Sequence, residues 1–158
     1  MSLDDWLLAL HLLAAFALGA AIVGFWVVIL GARTAERPSG VAGMLRLSRP
    51  FAAATAIGAV GTLVFGVWLA ISVDGYAVWD GWVIAAIVLF AVGGATGGRA
   101  GREYAAIGVR AGELAAAGDA PDPPLRASPH FPRAMGLHAV GTVAFIVILV
   151  LMIWKPGA

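Results

Sequence analysis

The chain has no cysteine, which excludes disulfides, thiolate metal sites, iron–sulfur clusters and c-type haem attachment. Charge is scarce as well: Asp, Glu, Lys and Arg together make up 12% of the 158 residues. The charges avoid four long apolar stretches altogether, so no core carboxylate is present for a proton or cation relay. Ser/His/Asp arrangements, phosphate-binding loops and EF-hand spacings are missing too. The segment GGATGGRAG (93–101) is rich in glycine, but it follows an apolar helix and not a strand, so it reads as a packing surface and not a nucleotide loop.

What is abundant is apolar surface. Hydrophobic residues are 61% of the sequence and the mean hydropathy is +0.94, far from soluble-protein composition. Crossing a hydrocarbon core of about 30 Å takes roughly 20 apolar residues per helix. Four stretches qualify, at about 6–32, 51–73, 81–98 and 134–154. The expected fold is therefore all-α, an integral membrane four-helix bundle forming a single transmembrane domain over residues 1–158. Asp4 and Asp5 occupy the place of a positive n-region, so the first stretch reads as a retained helix and not a signal peptide.

The formal net charge of +1 conceals an asymmetry, because all nine arginines lie in two loops. Arg33, Arg37, Arg46 and Arg49 precede the second span; Arg99, Arg102, Arg110, Arg126 and Arg133 lie between the third and fourth. The connection between the second and third spans offers Asp74 and Asp80 instead. Arginine bias in short loops sets orientation, which places both arginine-rich segments in the cytoplasm and the N- and C-termini outside. Trp6, Trp68, Trp79, Trp82 and Trp154 then fall near the outer interface, where indoles prefer to sit. The cytoplasmic arginines suit anionic headgroups, and the net charge implies no nucleic-acid partner.

Residues 99–133 read as a cytoplasmic helix extension followed by a proline-rich loop. Tyr104, Ile107, Ala111 and Leu114 share one helical side and Arg99, Arg102, Arg110 and Glu113 the other. Five of the eight prolines fall between Gly118 and Arg133, which breaks regular structure there and leaves His130 solvated. Residues 43–49 read as an interfacial stub, with Pro50 at the first position of the second span. The two halves of the chain resemble each other only faintly.

Small residues recur at every fourth position along Ala54, Gly58, Thr62 and Gly66, and again along Gly93, Gly97 and Gly101. In lipid such stripes allow close backbone approach, either within the bundle or toward a partner helix or second copy. Two histidines, His11 and His138, are the ionisable groups inside the spans, and such groups raise a functional hypothesis by default. Imidazole is a common axial ligand of haem and a general metal ligand. The first and fourth spans run antiparallel, so at 1.5 Å per residue the two histidines differ in depth by roughly 15–20 Å and do not clasp one iron. Met152 is the candidate partner for His11, and Met135 or Met44 for His138. The alternative is that each histidine hydrogen-bonds a neighbouring helix, through a group such as Ser72 or Thr55.

The opening WLLALHLLAAFALGA (6–20) and the closing IWKP (153–156) resemble a bacterial group of predicted integral membrane proteins of unknown function. That group is similar in look to copper-resistance D-type and membrane protoporphyrinogen-oxidase-type proteins. The resemblance implies a multi-pass protein of a bacterial cytoplasmic (inner) membrane and matches His11 to a histidine associated with haem or metal. Those relatives carry Trp-Val-Gly-Gly after that histidine, where this chain has Phe16, Ala17, Leu18 and Gly19. Three functions follow as expectations: a non-catalytic accessory or partner-binding membrane subunit, a b-type haem or copper redox protein with His11 as ligand, and a small-solute transporter. The first accords best with spans nearly empty of reactive groups.

Overall fold

The computed structural model describes residues 2–73 and 77–156; Asp74 lies outside the described residues. Five helices form in chain order: α1 (Leu3–Thr34), α2 (Pro38–Ser72), α3 (Gly81–Ala116), α4 (Pro123–Arg126) and α5 (His130–Trp154). All but α4 are long and apolar enough to cross a membrane. At 1.5 Å per residue α1, α2 and α3 reach about 48, 52 and 54 Å, so each extends beyond a ~30 Å hydrocarbon core. Only 11–22% of each helix's apolar window is buried inside the bundle. Phe16, Ile57 and Ile153 point outward, each about three-quarters exposed, an arrangement that suits lipid and not water.

Local chemistry sets the ends. Ser2 and Asp5 form a capping box at the start of α1, with Asp4 and Asp5 at the positive end of its dipole and Arg33 at the negative end. Pro38 forces Arg37 into extended backbone (φ −108°, ψ 147°) and opens α2. Pro50, expected at a helix start, therefore lies inside α2. There it leaves the Arg46 carbonyl without its usual amide donor. α3 runs unbroken to Ala116 and closes with Gly118 at φ 127° and Asp119 at φ 56°, the Asp119 amide donating to the Leu114 carbonyl at 3.1 Å. This is the left-handed cap that glycine makes accessible.

The helices pair as α1 with α2 and α3 with α5; α2 and α3 meet less extensively, and α1 and α5 barely at the backbone level. The best-packed core lies at the end carrying the arginine-rich connections. There Ile29, Val41, Leu45, Tyr104, Ile107, Ala111, Leu125 and Phe131 join one buried cluster drawn from all five helices. Phe131, Ile29, Ile107, Val41 and Pro38 are the largest fully buried side chains. The exposed side of the α3 extension carries Arg110, paired with Glu113 at 3.3 Å.

Two ties reinforce this end. The Glu103 carboxylate lies 2.5 Å from Nδ1 of His130, so that histidine is half-buried at the head of α5 and not simply solvated. Asp119 accepts from the Ser39 amide at 2.7 Å and the Ser39 hydroxyl at 2.6 Å, joining the α1–α2 turn to the end of α3. At the opposite end the Ser72 hydroxyl donates to Asp4. Trp82, in the first turn of α3, packs inside the bundle, whereas Trp6, Trp68, Trp79 and Trp154 are exposed.

Hydrogen bonds from the Ser39 hydroxyl and then its amide hold the Asp119 carboxyl below its ordinary value of 3.8, with Arg37 helping. A lowered carboxylate value means that the tie has full strength above the ordinary value and is lost as pH falls through the lowered one. Hydrogen exchange at the Ser39 amide should thus be slower than in an Asp119→Ala variant near neutral pH. The difference should narrow as pH falls well below the ordinary carboxylate value and Asp119 takes up its proton; equal exchange near neutral pH would contradict the tie.

Candidate functional site

The two intramembrane histidines occupy different seams. His11 turns toward α2, where its Nδ1–H donates to the Thr62 carbonyl at 3.0 Å. Its ring lies against Gly66, where a Cβ would stand 2.7 Å from Cε1 and 2.9 Å from Nδ1. His138 faces α1, with Nε2 3.4 Å from the Ile22 carbonyl. The Trp26 ring meets it edge-on at 4.9 Å, and Phe25 lies tilted at 5.7 Å. Trp26 Nε1–H donates to the Thr142 hydroxyl at 3.1 Å, and that hydroxyl donates to the His138 carbonyl at 2.9 Å. This chain of contacts braces α1 against α5 where their backbones stand apart.

Both histidines lie against main-chain carbonyls, and two of the candidate methionines have neighbours of their own. Met135 Sδ is 3.3 Å from an Arg33 guanidinium nitrogen, and Met44 is packed over Gly31. Ser72 and Thr55 do not serve the histidines either, since Ser72 binds Asp4 and Thr55 donates to the Phe51 carbonyl of its own helix at 2.8 Å. Backbone carbonyls are the partners of both imidazoles. Among the described residues no group of three or more His, Cys, Asp or Glu side chains converges in a way that could hold a metal.

The two small-residue stripes also part ways. On α2, a Cβ at Gly58 would stand 2.8 Å from the Leu18 amide nitrogen and 3.1 Å from the Ala14 carbonyl oxygen, so α1 approaches as close as glycine permits. Gly61 faces Ala14 in the same seam, and Thr62 is buried there. Ala54 begins this stripe one turn before Gly58. On α3 the expected packing contacts are missing: a Cβ at Gly93, Gly94, Gly97, Gly98 or Gly101 would meet no described atom within 4 Å. α5 approaches this stretch only at its start, where a Cβ at Gly141 would stand 3.7 Å from the Gly93 carbonyl oxygen and 3.4 Å from the Thr96 hydroxyl.

Four of those glycines border open space. A cavity of about 390 Å³ lies between the helix pairs, and Gly93, Gly94, Gly97 and Gly101 line its α3 side. Leu18, Ile22 and Phe25 face it from α1, Ala52, Ala56 and Ala59 from α2, and Gly141, Phe145 and Ile148 from α5. Of the candidate ligands, His138 lines the cavity; His11, Met44, Met135 and Met152 are not part of its wall. No Asp, Glu, Lys or Arg lines it among the described residues. Tyr104 closes the end next to the buried cluster, 5% exposed, and its hydroxyl is buried without a hydrogen-bond partner among the described residues. Periodicity assigns Tyr104 to the apolar side of α3; the doubled glycines at 93–94 and 97–98 are the only sequence signal of the cavity.

Four long helices with apolar exteriors and a charge-free interior define a multi-pass integral membrane protein. The profile of a family described as predicted integral membrane protein (DUF2269) matches residues 5–156, and the chain belongs to that family. The match carries no relation to copper-resistance D-type or protoporphyrinogen-oxidase-type proteins with it. No curated protein and no solved structure matches the chain.

The contrast between the stripes is measurable. Gly58→Ala should destabilise the protein by about 1–3 kcal/mol, because the new methyl pushes α1 away. Gly97→Ala should be neutral or stabilising by up to about 1 kcal/mol, since alanine is the better helix former and meets nothing. Unfolding of the two variants in detergent with increasing denaturant checks both signs.

Proposed function

We propose that the protein is a non-catalytic membrane component whose two helix pairs hold an apolar ligand between them. The observation that carries this reading is the glycine-lined face of α3, which leaves space that its own helices do not fill. The space is not sealed: Gly94, Gly97 and Gly101 on its α3 wall are exposed, so it is open to apolar molecules of the surrounding membrane. Water is a poor occupant, because each buried water needs two to four polar partners and the walls are almost wholly apolar. Ligand pockets typically span about 300–1,000 Å³ and are apolar with a few polar groups, a description that fits this one.

In this reading the occupant is a small apolar molecule. In a bacterial cytoplasmic membrane, the arginine-rich end and its buried cluster belong on the cytoplasmic side, supported by the excess of arginine in both connections.

Two measurements test these readings. Protein purified in mild detergent should retain about one apolar molecule per chain by native mass spectrometry, and Gly97→Leu, which fills the cavity, should lose it while keeping its melting temperature. Retention unchanged by Gly97→Leu would refute the ligand reading. Because the chain has no cysteine, single thiols report sidedness. Ala77→Cys should react with an impermeant maleimide in intact cells and Ala117→Cys only after permeabilisation; the reverse pattern would invert the topology.

A further inference from the structure

Resting on the ligand reading above, we infer that the apolar occupant is an acyl chain of an anionic phospholipid, whose phosphate is held by Arg49 and Arg102 at the end of the opening between α2 and α3. Register, depth and charge carry this assignment.

The register of the two helices places the arginines. A Cβ at Gly108 would stand 3.7 Å from Leu45 Cδ1, which sets these residues side by side on α2 and α3, helices that run in opposite directions. Each step forward along α2 is then matched by an equal step back along α3. Ala52 therefore shares a level with Gly101, Ala56 with Gly97 and Ala59 with Gly94. All six line the cavity and all but Ala59 are exposed, so the space opens sideways between α2 and α3 toward lipid. Arg49 lies about one turn before Ala52 on the same side of α2, and Arg102 directly follows Gly101. The same register makes their depths differ by about 3 Å at 1.5 Å per residue.

That depth is where phosphates lie. The apolar stretch of α2 begins just after Arg49 and that of α3 ends just before Arg102, so both arginines stand near the edge of the hydrocarbon. From this edge the cavity runs inward along α3 past Gly101, Gly97 and Gly94 to Leu89, the direction that acyl chains take. A lipid anchored by its phosphate at the two arginines thus lays its chain along the glycine-lined wall.

The charge at this edge is of one sign. α2 contains no Asp or Glu, and α3 contains Glu103 and Glu113 alone. Glu103 is engaged by His130 and Glu113 by Arg110. Arg49 and Arg102 are exposed, and neither forms an ion pair among the described residues. Guanidinium groups bond phosphate oxygens in a planar fork. With no free carboxylate on α2 or α3 to receive a choline ammonium, a head group of net negative charge is favoured over a zwitterionic one.

The test equilibrates the full chain in mild detergent with equimolar dioleoyl phosphatidylglycerol and dioleoyl phosphatidylcholine, and counts retained lipid by native mass spectrometry. One phosphatidylglycerol per chain is expected, preferred about tenfold or more, the scale set by two arginines near a membrane surface. Arg49→Gln combined with Arg102→Gln should bring the preference close to unity. Arg99→Gln combined with Arg126→Gln removes the same charge away from the opening and should preserve it; an equal loss in both double variants would overturn the site. Gly97→Leu, checked like the others for an unchanged melting temperature, should retain neither lipid, and persistence of phosphatidylglycerol there would overturn the placement of the chain. Equal retention of both lipids by the parent protein, lost in Gly97→Leu, would overturn the head-group assignment and leave the ligand reading in place. Retention of no molecule of any kind would overturn that reading as well.

Discussion

The bundle depends on the apolar cluster at its arginine-rich end. Ile29, Val41, Ile107 and Phe131, contributed by four different helices, are nearly or wholly inaccessible there, and this end is where helices extend past the hydrocarbon and meet water. Apolar burial drives association in water but not within lipid, where tails compete on equal terms with side chains. The cluster therefore holds the α1–α2 pair and the α3–α5 pair together at one end. Along the span, contact depends on how closely backbones approach.

That difference explains why the middle of the bundle is closed in one seam and open in another. Gly58, Gly61 and Gly66 bring α2 against α1 and make room for the His11 ring. Gly19 brings the α1 backbone close to the Phe145 ring, while Trp26, Thr142 and His138 hold α5 off from α1. The histidines act as fasteners between neighbouring helices, each donating or directed to a main-chain carbonyl. Between these contacts remains a narrow, uncharged cavity with glycines along one wall and a phenol at its end.

Much of this was legible in the residues. Hydropathy gave four spans, and the period of α3 beyond Gly98 separated Tyr104, Ile107 and Ala111 from Arg102 and Arg110, as their burial shows. Two stripes with the same four-residue spacing were not distinguishable, because spacing states that a backbone can be approached and not what approaches it. Pro50 satisfies the rule for a first helical position, but Pro38 does so too, and the packing of Val41, Ala42 and Leu45 in the cluster extends α2 back to Pro38. The histidine partners were hidden because carbonyls belong to every residue. Tyr104 passed as an apolar face residue, since a hydroxyl without a partner is a property of the folded surroundings.

The most direct measurement is a high-resolution structure of the protein taken from its native membrane without delipidation. Density for an apolar molecule running along Gly93, Gly97 and Gly101 is the expected result. A cleft closed by α3 settling onto α1 and α2, or filled by the helix of a neighbouring protein, would contradict the ligand-holding role.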